Sequence, residues 1–160
     1  MTIAIRPPIV TLSRERFTDI FAAEAMPLFA RHWRELANYQ QVRPLEVDVR
    51  AYIALETKGI LRWYTLRHWG LLLGYVSFAT LPSHLHYRGW AHALADTFWV
   101  APEYGNRAFG YLRLFRYADV ALKADGFRSI TYHARHRKRM AAVFRRLGYA
   151  ETETLWEKLT

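Results

Sequence analysis

The sequence predicts one mixed α/β domain over residues 1–160, with a sheet flanked by helices. Helix-period apolar stripes and β-prone runs alternate as strand, helix, strand, helix and strand in the C-terminal half. A chain of 160 residues can bury a core as one domain, and no repeat or linker divides it. A long helix between two strands forms a right-handed crossover, so those strands should be parallel.

The N-terminal half predicts helices and a strand meander. Residues 3–12 form a first strand. Ser13 caps a short helix, and a second helix begins near Pro27. Asp48 caps a third helix that ends at Gly59. Two strands, 60–67 and 71–79, then flank a turn at residues 68–70.

The stretch 94–110 predicts a strand, a turn and a helix start. Residues 94–100 are apolar and β-prone, and Pro102 ends the strand because it cannot donate to a ladder. Small residues follow at Gly105, Ala108 and Gly110. They let the backbone approach a ligand, and the free amides of a helix start favour an anion such as a phosphate.

The remaining C-terminal elements follow the same periodicities. A long amphipathic helix ends at Gly126 and carries Asp119 on its solvent side. A strand over 127–134 and a helix that stops at Gly148 come next, and residues 149–159 form a closing strand.

Composition restricts the partners and the chemistry. The net charge of +9 favours an anionic partner, either nucleic acid or a polyphosphate such as coenzyme A. The absence of cysteine excludes disulfides, thiolate metal sites and a cysteine nucleophile. No signal-peptide pattern and no apolar run near the ~20 residues of a membrane span is visible, so we expect a cytoplasmic protein without a membrane partner. The sequence leaves monomer and homodimer open.

Histidines could contribute to a site in two places. His32 and Glu35 share a helix face, either as a substrate-facing pair or, as we prefer, as a surface pair. His84 and His86 point the same way in an extended segment, but a metal would need a further ligand and only His92 lies nearby. We therefore predict no metal site.

Two motifs resemble the GNAT superfamily of N-acetyltransferases. One is the run from Asp96 through Val100-Ala-Pro102-Glu-Tyr104 into a small-residue loop, and the other is Phe-Arg-Arg-Leu-Gly-Tyr at 144–149. Shorter matches at 32–35, 44–45, 74–75 and 86–87 are similar to small phage and prophage members. The resemblance implies a mixed, mostly antiparallel sheet in which a parallel strand pair splays apart, flanked by helices.

The resemblance also implies acetyl-CoA as the cofactor and names the residues that would bind it. The pantetheine arm would pair with the strand Phe98–Val100, and the amide of Val100 would bind the thioester oxygen, where developing charge needs a donor. The pyrophosphate would lie on the amides of the loop. The cofactor-binding residues are then Phe98, Trp99, Val100, Gly105, Asn106, Arg107, Ala108, Phe109, Gly110 and Arg137.

This chain departs from the family pattern at two points. The phosphate loop begins with Gly105 instead of a long polar residue and has Ala108 in place of glycine, while Arg107 could add a charge. Phe144 stands where the family often has a tyrosine that protonates the leaving thiolate. Phenylalanine has no proton to give, so we interpret Phe144 as a core residue, and water or another group would replace the tyrosine if an acid is required.

The catalytic candidates are Asp96, His133 and His86. Asp96 is the preferred base because family members often have an acid just before the Val-x-Pro segment, although it could equally tie down a loop. His133 on the partner strand and His86 are alternatives whose neutral pKa suits the task. The basic run 135–139, which includes Arg137, is assigned first to cofactor phosphates, then to nucleic acid or a solvated helix start.

The sequence thus predicts an acetyl-CoA-dependent N-acetyltransferase that acts on a primary amine of unknown identity. Two alternatives stay open at this point. One is a non-catalytic structural or regulatory protein that kept the fold, and the other is a basic nucleic-acid-binding module.

Overall fold

The computed structural model describes residues 9–37, 40–133 and 138–153. The predicted mixed α/β class is confirmed. The elements in chain order are β1 (Val10–Glu15), α1 (Asp19–Leu36), α2 (Val49–Thr57), β2 (Leu61–His68), β3 (Leu71–Leu81), β4 (His92–Val100), α3 (Arg107–Ala124), β5 (Ser129–Tyr132) and α4 (Lys138–Arg146). A 3₁₀ turn at Pro102–Tyr104 connects β4 to α3.

One sheet with strand order β1-β2-β3-β4-β5 forms the centre of the fold. Neighbouring strands are antiparallel except β4 and β5, which are parallel and are joined through α3, as the crossover rule predicts. The β4–β5 register ends at the pair Ala95↔Tyr132, whereas β4 continues to Val100. Among the described residues the two strands therefore form a fork, which we define as the opening between Asp96–Val100 of β4 and the end of β5.

Aromatic side chains cover both faces of the sheet. Trp63, with no exposed surface, packs on rings from α1, α2 and the segment just before α1, namely Phe21, Phe29, Tyr52 and Phe17. On the opposite face Phe115 of α3 packs on Phe98, Tyr132 and Phe144. Burying rings of this size on two faces supplies most of the apolar area that holds the layers together.

The N-terminal prediction was wrong in one respect, since α1 is a single helix. Thr18 caps it by accepting from the amide of Phe21 at 3.2 Å, and Pro27 lies inside it. Ser13 is instead part of β1, where its hydroxyl lies 3.1 Å from that of Thr65 on β2. The apolar face of α1 is continuous on both sides of Pro27, so burial outweighs the lost backbone hydrogen bond.

Asp119 also differs from its predicted solvent-facing position. Its carboxylate accepts hydrogen bonds from the hydroxyls of Tyr149 at 2.7 Å and Tyr132 at 3.1 Å. Burial raises its pKa, and the two tyrosine hydrogen bonds partly offset that rise. Helical periodicity predicts that Asp119 lies outside the apolar stripe of α3. It does not show that β5 and residue 149 pack against that side of the helix.

Other predicted boundaries hold closely. Asp48 caps α2 by accepting from the amide of Ala51 at 2.9 Å, and Gly59 and Gly148 follow helix ends with positive φ values of 71° and 87°. Residues 3–8, at the start of the predicted first strand, and residues 154–159 of the closing strand lie outside the described residues. Within the described ranges, none of the helices has the length and apolar character of a membrane span.

The β2–β3 hairpin turn contains a bulky residue in an unfavourable conformation. Trp69 and Gly70 have φ values of 52° and 81°, the left-handed region that a tight two-residue turn requires. Glycine and asparagine adopt this region easily, whereas a tryptophan at φ above zero is strained.

We expect Trp69→Asn to stabilise the protein by about 1 kcal/mol, because asparagine relieves the backbone strain. Trp69 is 57% exposed, so few packing contacts are lost. Urea unfolding would measure the change. Trp69→Ala is the control, because alanine removes the same ring without relieving the strain. Equal or lower stability of Trp69→Asn relative to Trp69→Ala would contradict the explanation.

Candidate functional site

A β-bulge places Asp96 at the base of the fork. In the β3–β4 register Ser77 pairs with Thr97 and Phe78 pairs with Ala95, which leaves Asp96 as the extra residue. A bulge turns a side chain out of the regular alternation and is common beside active sites. The carboxylate of Asp96 lies where β4 loses its contact with β5.

The surroundings of Asp96 change its acid–base properties. Its Oδ2 atom accepts from Ser77 Oγ at 3.4 Å, and the Ser77 side chain is fully buried. The residue Asp96 is exposed as a whole, but its carboxylate faces the buried side chain of Ser77. Desolvation there raises the pKa of Asp96, and the Ser77 hydrogen bond opposes part of the rise. Burial and the Asp96 charge together raise the pKa of Tyr52 on α2.

Further polar groups continue along the same face of the sheet. His32 of α1 lies with Nδ1 2.7 Å from the Tyr75 hydroxyl and 3.5 Å from Thr97 Oγ1. Its ring stacks on Trp99 with an interplanar angle of 15°. His32 therefore faces the sheet and is not the surface group that we preferred from sequence. Together with Asp96 and Ser77 these residues form a polar wall beneath α1 and α2.

The amide of Val100 points into the fork. Ala101 donates its amide to Leu73 O at 2.7 Å, toward β3, so the alternation of a strand turns the Val100 amide to the other edge. There it donates to the Tyr111 hydroxyl at 3.2 Å, a buried contact between strand and helix. The same alternation directs the Phe98 amide to the fork.

Several backbone amides at the start of α3 already donate hydrogen bonds within the chain. Asn106 accepts from the Phe109 amide through Oδ1 at 3.1 Å and from the Gly110 amide through its carbonyl at 3.0 Å. The Arg107 amide donates to Gly105 O at 3.1 Å. Among the described contacts, this leaves the Ala108 amide as the first-turn donor available to an anion.

Two glycines permit close approach of backbone at this end of the sheet. A Cβ on Gly110 would lie 2.9 Å from both Val100 Cγ1 and Tyr104 Cδ1, so glycine allows α3 to pack against β4. Gly105 has φ 83°, which only glycine adopts without strain. Gly110 is thus required by the packing of the chain itself.

Arg107 is engaged by an acid from α1. Its guanidinium forms two hydrogen bonds of 2.9 and 3.1 Å with Glu35, which also accepts from Trp99 Nε1 at 2.9 Å. From the sequence we expect Arg107 to add a positive charge for the cofactor and Glu35 to lie on the surface. In the structure the pair neutralises itself and connects α1 to the phosphate loop.

A second ion pair joins the same two elements. Arg31 donates to both carboxylate oxygens of Glu103 at 2.8 Å. The guanidinium carbons of Arg31 and Arg107 lie 5.2 and 5.4 Å from the centroid of the buried Trp99 ring. Sequence spacing could not reveal these contacts, because the partners lie on α1, β4 and the loop.

The other predicted residues fall in different environments. Phe144 is buried at 9% exposure and packs on Phe98, so its interpretation as a core residue is confirmed. His133 is exposed and directly follows the last β5 residue that pairs with β4. His86 is exposed and lies in the loop before β4. The first residue of β4, His92, is about 13 Å along the strand from Asp96, so His86 is remote from Asp96 along the chain. Arg137 lies outside the described residues, and among those described no group of three or more metal-ligating side chains occurs.

No protein-family model matches the sequence, and no curated protein matches it. Solved structures do match the fold. An aminoglycoside acetyltransferase from an uncultured soil metagenomic sample, in complex with sisomicin, aligns with a TM-score of 0.72 at 14% identity over 94% of this chain and 95% of that chain.

Two further structures show the same fold. The ribosomal-protein-alanine N-acetyltransferase from Brucella melitensis biovar Abortus 2308 aligns with a TM-score of 0.69 at 14% identity, over 94% of this chain and 99% of that chain. A predicted acetyltransferase from Clostridium acetobutylicum with acetyl-CoA aligns at 0.65 and 13% identity, over 95% and 96%. At these identities the likeness establishes that the chain has the GNAT acetyltransferase fold.

Proposed function

We propose that this protein transfers an acetyl group from acetyl-CoA to a primary amine, with both substrates bound together. The observation that carries the proposal is the fork, where the edge of β4 over Asp96–Val100 faces no strand among the described residues. Two outward amides, those of Phe98 and Val100, lie on this edge. An extended amide-containing chain such as pantetheine can pair with such an edge as an added strand would.

The residues present fit acetyl-CoA. The Val100 amide is buried, and its partner among the described residues is a side-chain hydroxyl, so a carbonyl oxygen could replace that partner. The fork leads directly to the α3 N-terminus, where the Ala108 amide and the helix dipole favour a phosphate. Acetyl-CoA would supply the activated acetyl group, and the chain would position it. Complexes with acetyl-CoA and with an aminoglycoside among proteins of this fold support the assignment.

Asp96 is the proposed base. An amine must lose a proton as it attacks, and a carboxylate of raised pKa at the base of the fork can accept that proton through bridging water. Ser77 donates a hydrogen bond to this carboxylate from the polar wall. We propose that the acceptor amine enters between α1, α2 and this wall, opposite the aromatic cluster of α3. The acceptor's chemical identity is not specified beyond its amine.

The test combines calorimetry with a thiol-release assay. We expect stoichiometric binding of acetyl-CoA and release of free CoA thiol with at least one member of a panel of aminoglycosides, polyamines and peptide N-termini. Absence of acetyl-CoA binding at millimolar concentration would contradict the proposal. Binding without thiol release across the panel would favour the non-catalytic alternative.

The nucleic-acid alternative has little support in the described residues. Several arginines are paired with acids, including Arg31 with Glu103, Arg67 with Glu15 and Arg107 with Glu35. Paired side chains offer little free charge to a phosphate backbone. The narrower resemblance to phage and prophage acetyltransferases stays a prediction.

A further inference from the structure

Tyr111 carries a buried hydroxyl group beside the fork. It is the fifth residue of α3, counted from Arg107, and it retains 7% of its surface exposure. Its ring packs at right angles to Phe98, with centroids 6.0 Å apart, which places it beside the open edge of β4. Its hydroxyl reaches the Val100 amide at 3.2 Å. The hydroxyl therefore lies beside the point at which the proposed thioester oxygen would be held, and it would move off the Val100 amide when that oxygen binds there.

The hydroxyl is an acceptor in this contact, so its own proton is free to point elsewhere. Burial raises the pKa of Tyr111, while the Val100 amide and Arg107 act in the opposite direction. At neutral pH the phenol keeps its proton, so its O–H group can donate to a group bound in the fork.

We propose that the Tyr111 hydroxyl is a second hydrogen-bond donor, beside the Val100 amide, to the carbonyl oxygen of the bound acetyl group. This inference rests on the proposed function. As the amine nitrogen bonds to the thioester carbon, the carbonyl electron pair moves onto oxygen, where both donors stabilise it. The pair returns when the C–S bond breaks, sulfur leaves as thiolate with the bonding electrons, and the amine proton passes to Asp96. Tyr111 donates a hydrogen bond throughout and does not lose its proton.

The Glu35–Arg107 pair contributes to the electrostatics of this site. Glu35 holds the Arg107 guanidinium through two hydrogen bonds, and the Arg107 charge opposes the rise that burial gives to the pKa of Tyr111. Stabilisation of the oxygen matters more here because Phe144 offers no acid to the departing sulfur.

The test compares two unreactive ligands by calorimetry. One is the ketone isostere of acetyl-CoA in which a methylene replaces sulfur, and the other is S-ethyl-CoA, which lacks the carbonyl oxygen. The ratio of their affinities isolates the carbonyl contact. We expect Tyr111→Phe to reduce the preference for the ketone about tenfold, as loss of one hydrogen bond predicts. We expect kcat to fall about 10²- to 10³-fold.

Tyr117→Phe is the matched control. Tyr117 lies on the same helix and packs on Tyr64, away from the fork, so its removal should leave the ligand preference unchanged. An unchanged preference in Tyr111→Phe, or a stronger one because the Val100 amide is released, would overturn the role of Tyr111 while the proposed function stands. Failure of the wild-type protein to bind either ligand would overturn the proposed function and this role with it.

Discussion

Replacing Asp96 by asparagine is expected to lower kcat/KM by about 10²-fold or more, the usual effect of losing a positioned general base. Asparagine keeps the size of the side chain and can still accept from Ser77, so the polar wall should persist. The binding of acetyl-CoA should change little, because the carboxylate lies at the acceptor side of the fork. Steady-state kinetics and calorimetry on the same preparation would separate the two effects.

The pH profile of kcat/KM tests the role of Asp96 as the base in a second way. A base must be deprotonated, so the wild-type kcat/KM should fall on the acidic side as Asp96 takes up a proton. Because burial raises its pKa, this limb should lie above the ordinary aspartate range. In Asp96→Asn that limb should disappear.

As the pH rises through the raised pKa of Asp96, the activity of the wild-type protein should increase while its free energy of unfolding decreases. A carboxylate with a raised folded-state pKa destabilises the fold when it is ionised and not when it is protonated. The free energy of unfolding of Asp96→Asn relative to wild type should therefore increase as the pH rises from the ordinary aspartate range through the raised pKa, and stay constant above it. Urea unfolding at several pH values would measure this difference.

Asp119→Asn is the matched control for Asp96→Asn. Asp119 is a second aspartate whose pKa is raised by burial, but it lies on the α3 side of the sheet with Tyr132 and Tyr149. We expect Asp119→Asn to retain kcat/KM and its acidic limb. Equal losses in both variants, or an unaltered pH profile in Asp96→Asn, would remove Asp96 as the base.

The second large effect is expected at Trp99. This side chain is 1% exposed, and Trp99→Ala should destabilise the protein by about 3–5 kcal/mol, as truncation of a buried tryptophan generally does. Arg31 and Arg107 also lie over the ring, and His32 stacks on it. Its loss should loosen the attachment of α1 to the phosphate loop. Denaturant unfolding and acetyl-CoA calorimetry would measure the two consequences.

Substitution by phenylalanine separates packing from hydrogen bonding. Trp99→Phe removes the indole donor to Glu35, a bond to a charged group that contributes about 1.5–3 kcal/mol. Trp63→Phe is the control, because Trp63 is equally buried but its Nε1 atom has no hydrogen-bond partner among the described residues. Trp99→Phe should therefore destabilise more. A larger loss in Trp63→Phe would contradict the importance of the Glu35 contact.

Two ion pairs around Trp99 connect α1 to the segment before and at the start of α3. Arg31 and Glu35 lie on α1, beside His32 of the polar wall, whereas Glu103 and Arg107 belong to the segment that would hold the cofactor under the proposed function. Arg107 donates to Glu35 from two nitrogens and Arg31 donates to both Glu103 oxygens from one, so both pairs restrict the orientation of α1. Each pair is partly exposed, so we expect it to add little to the free energy of unfolding. Its main effect is on the orientation of α1.

Local patterns in the sequence were sufficient for most of the architecture. The alternation of helical and strand periodicities predicted the mixed α/β class, and the strand–helix–strand order predicted that β4 and β5 are parallel. Asp48, Gly59 and Pro102 marked element ends correctly because caps, positive-φ positions and missing donors act within a few residues. Phe144 was correctly placed in the core by its helical spacing.

The tertiary structure alone decided the contacts between distant segments. The bulge that exposes Asp96, the Tyr111 hydroxyl on the Val100 amide and the Glu35–Arg107 pair each join elements that are remote in sequence. Periodicity states which side of a helix or strand a residue occupies, but not what packs against that side. Asp119, Glu35 and His32 were therefore assigned to solvent, and only the packed sheet showed their partners.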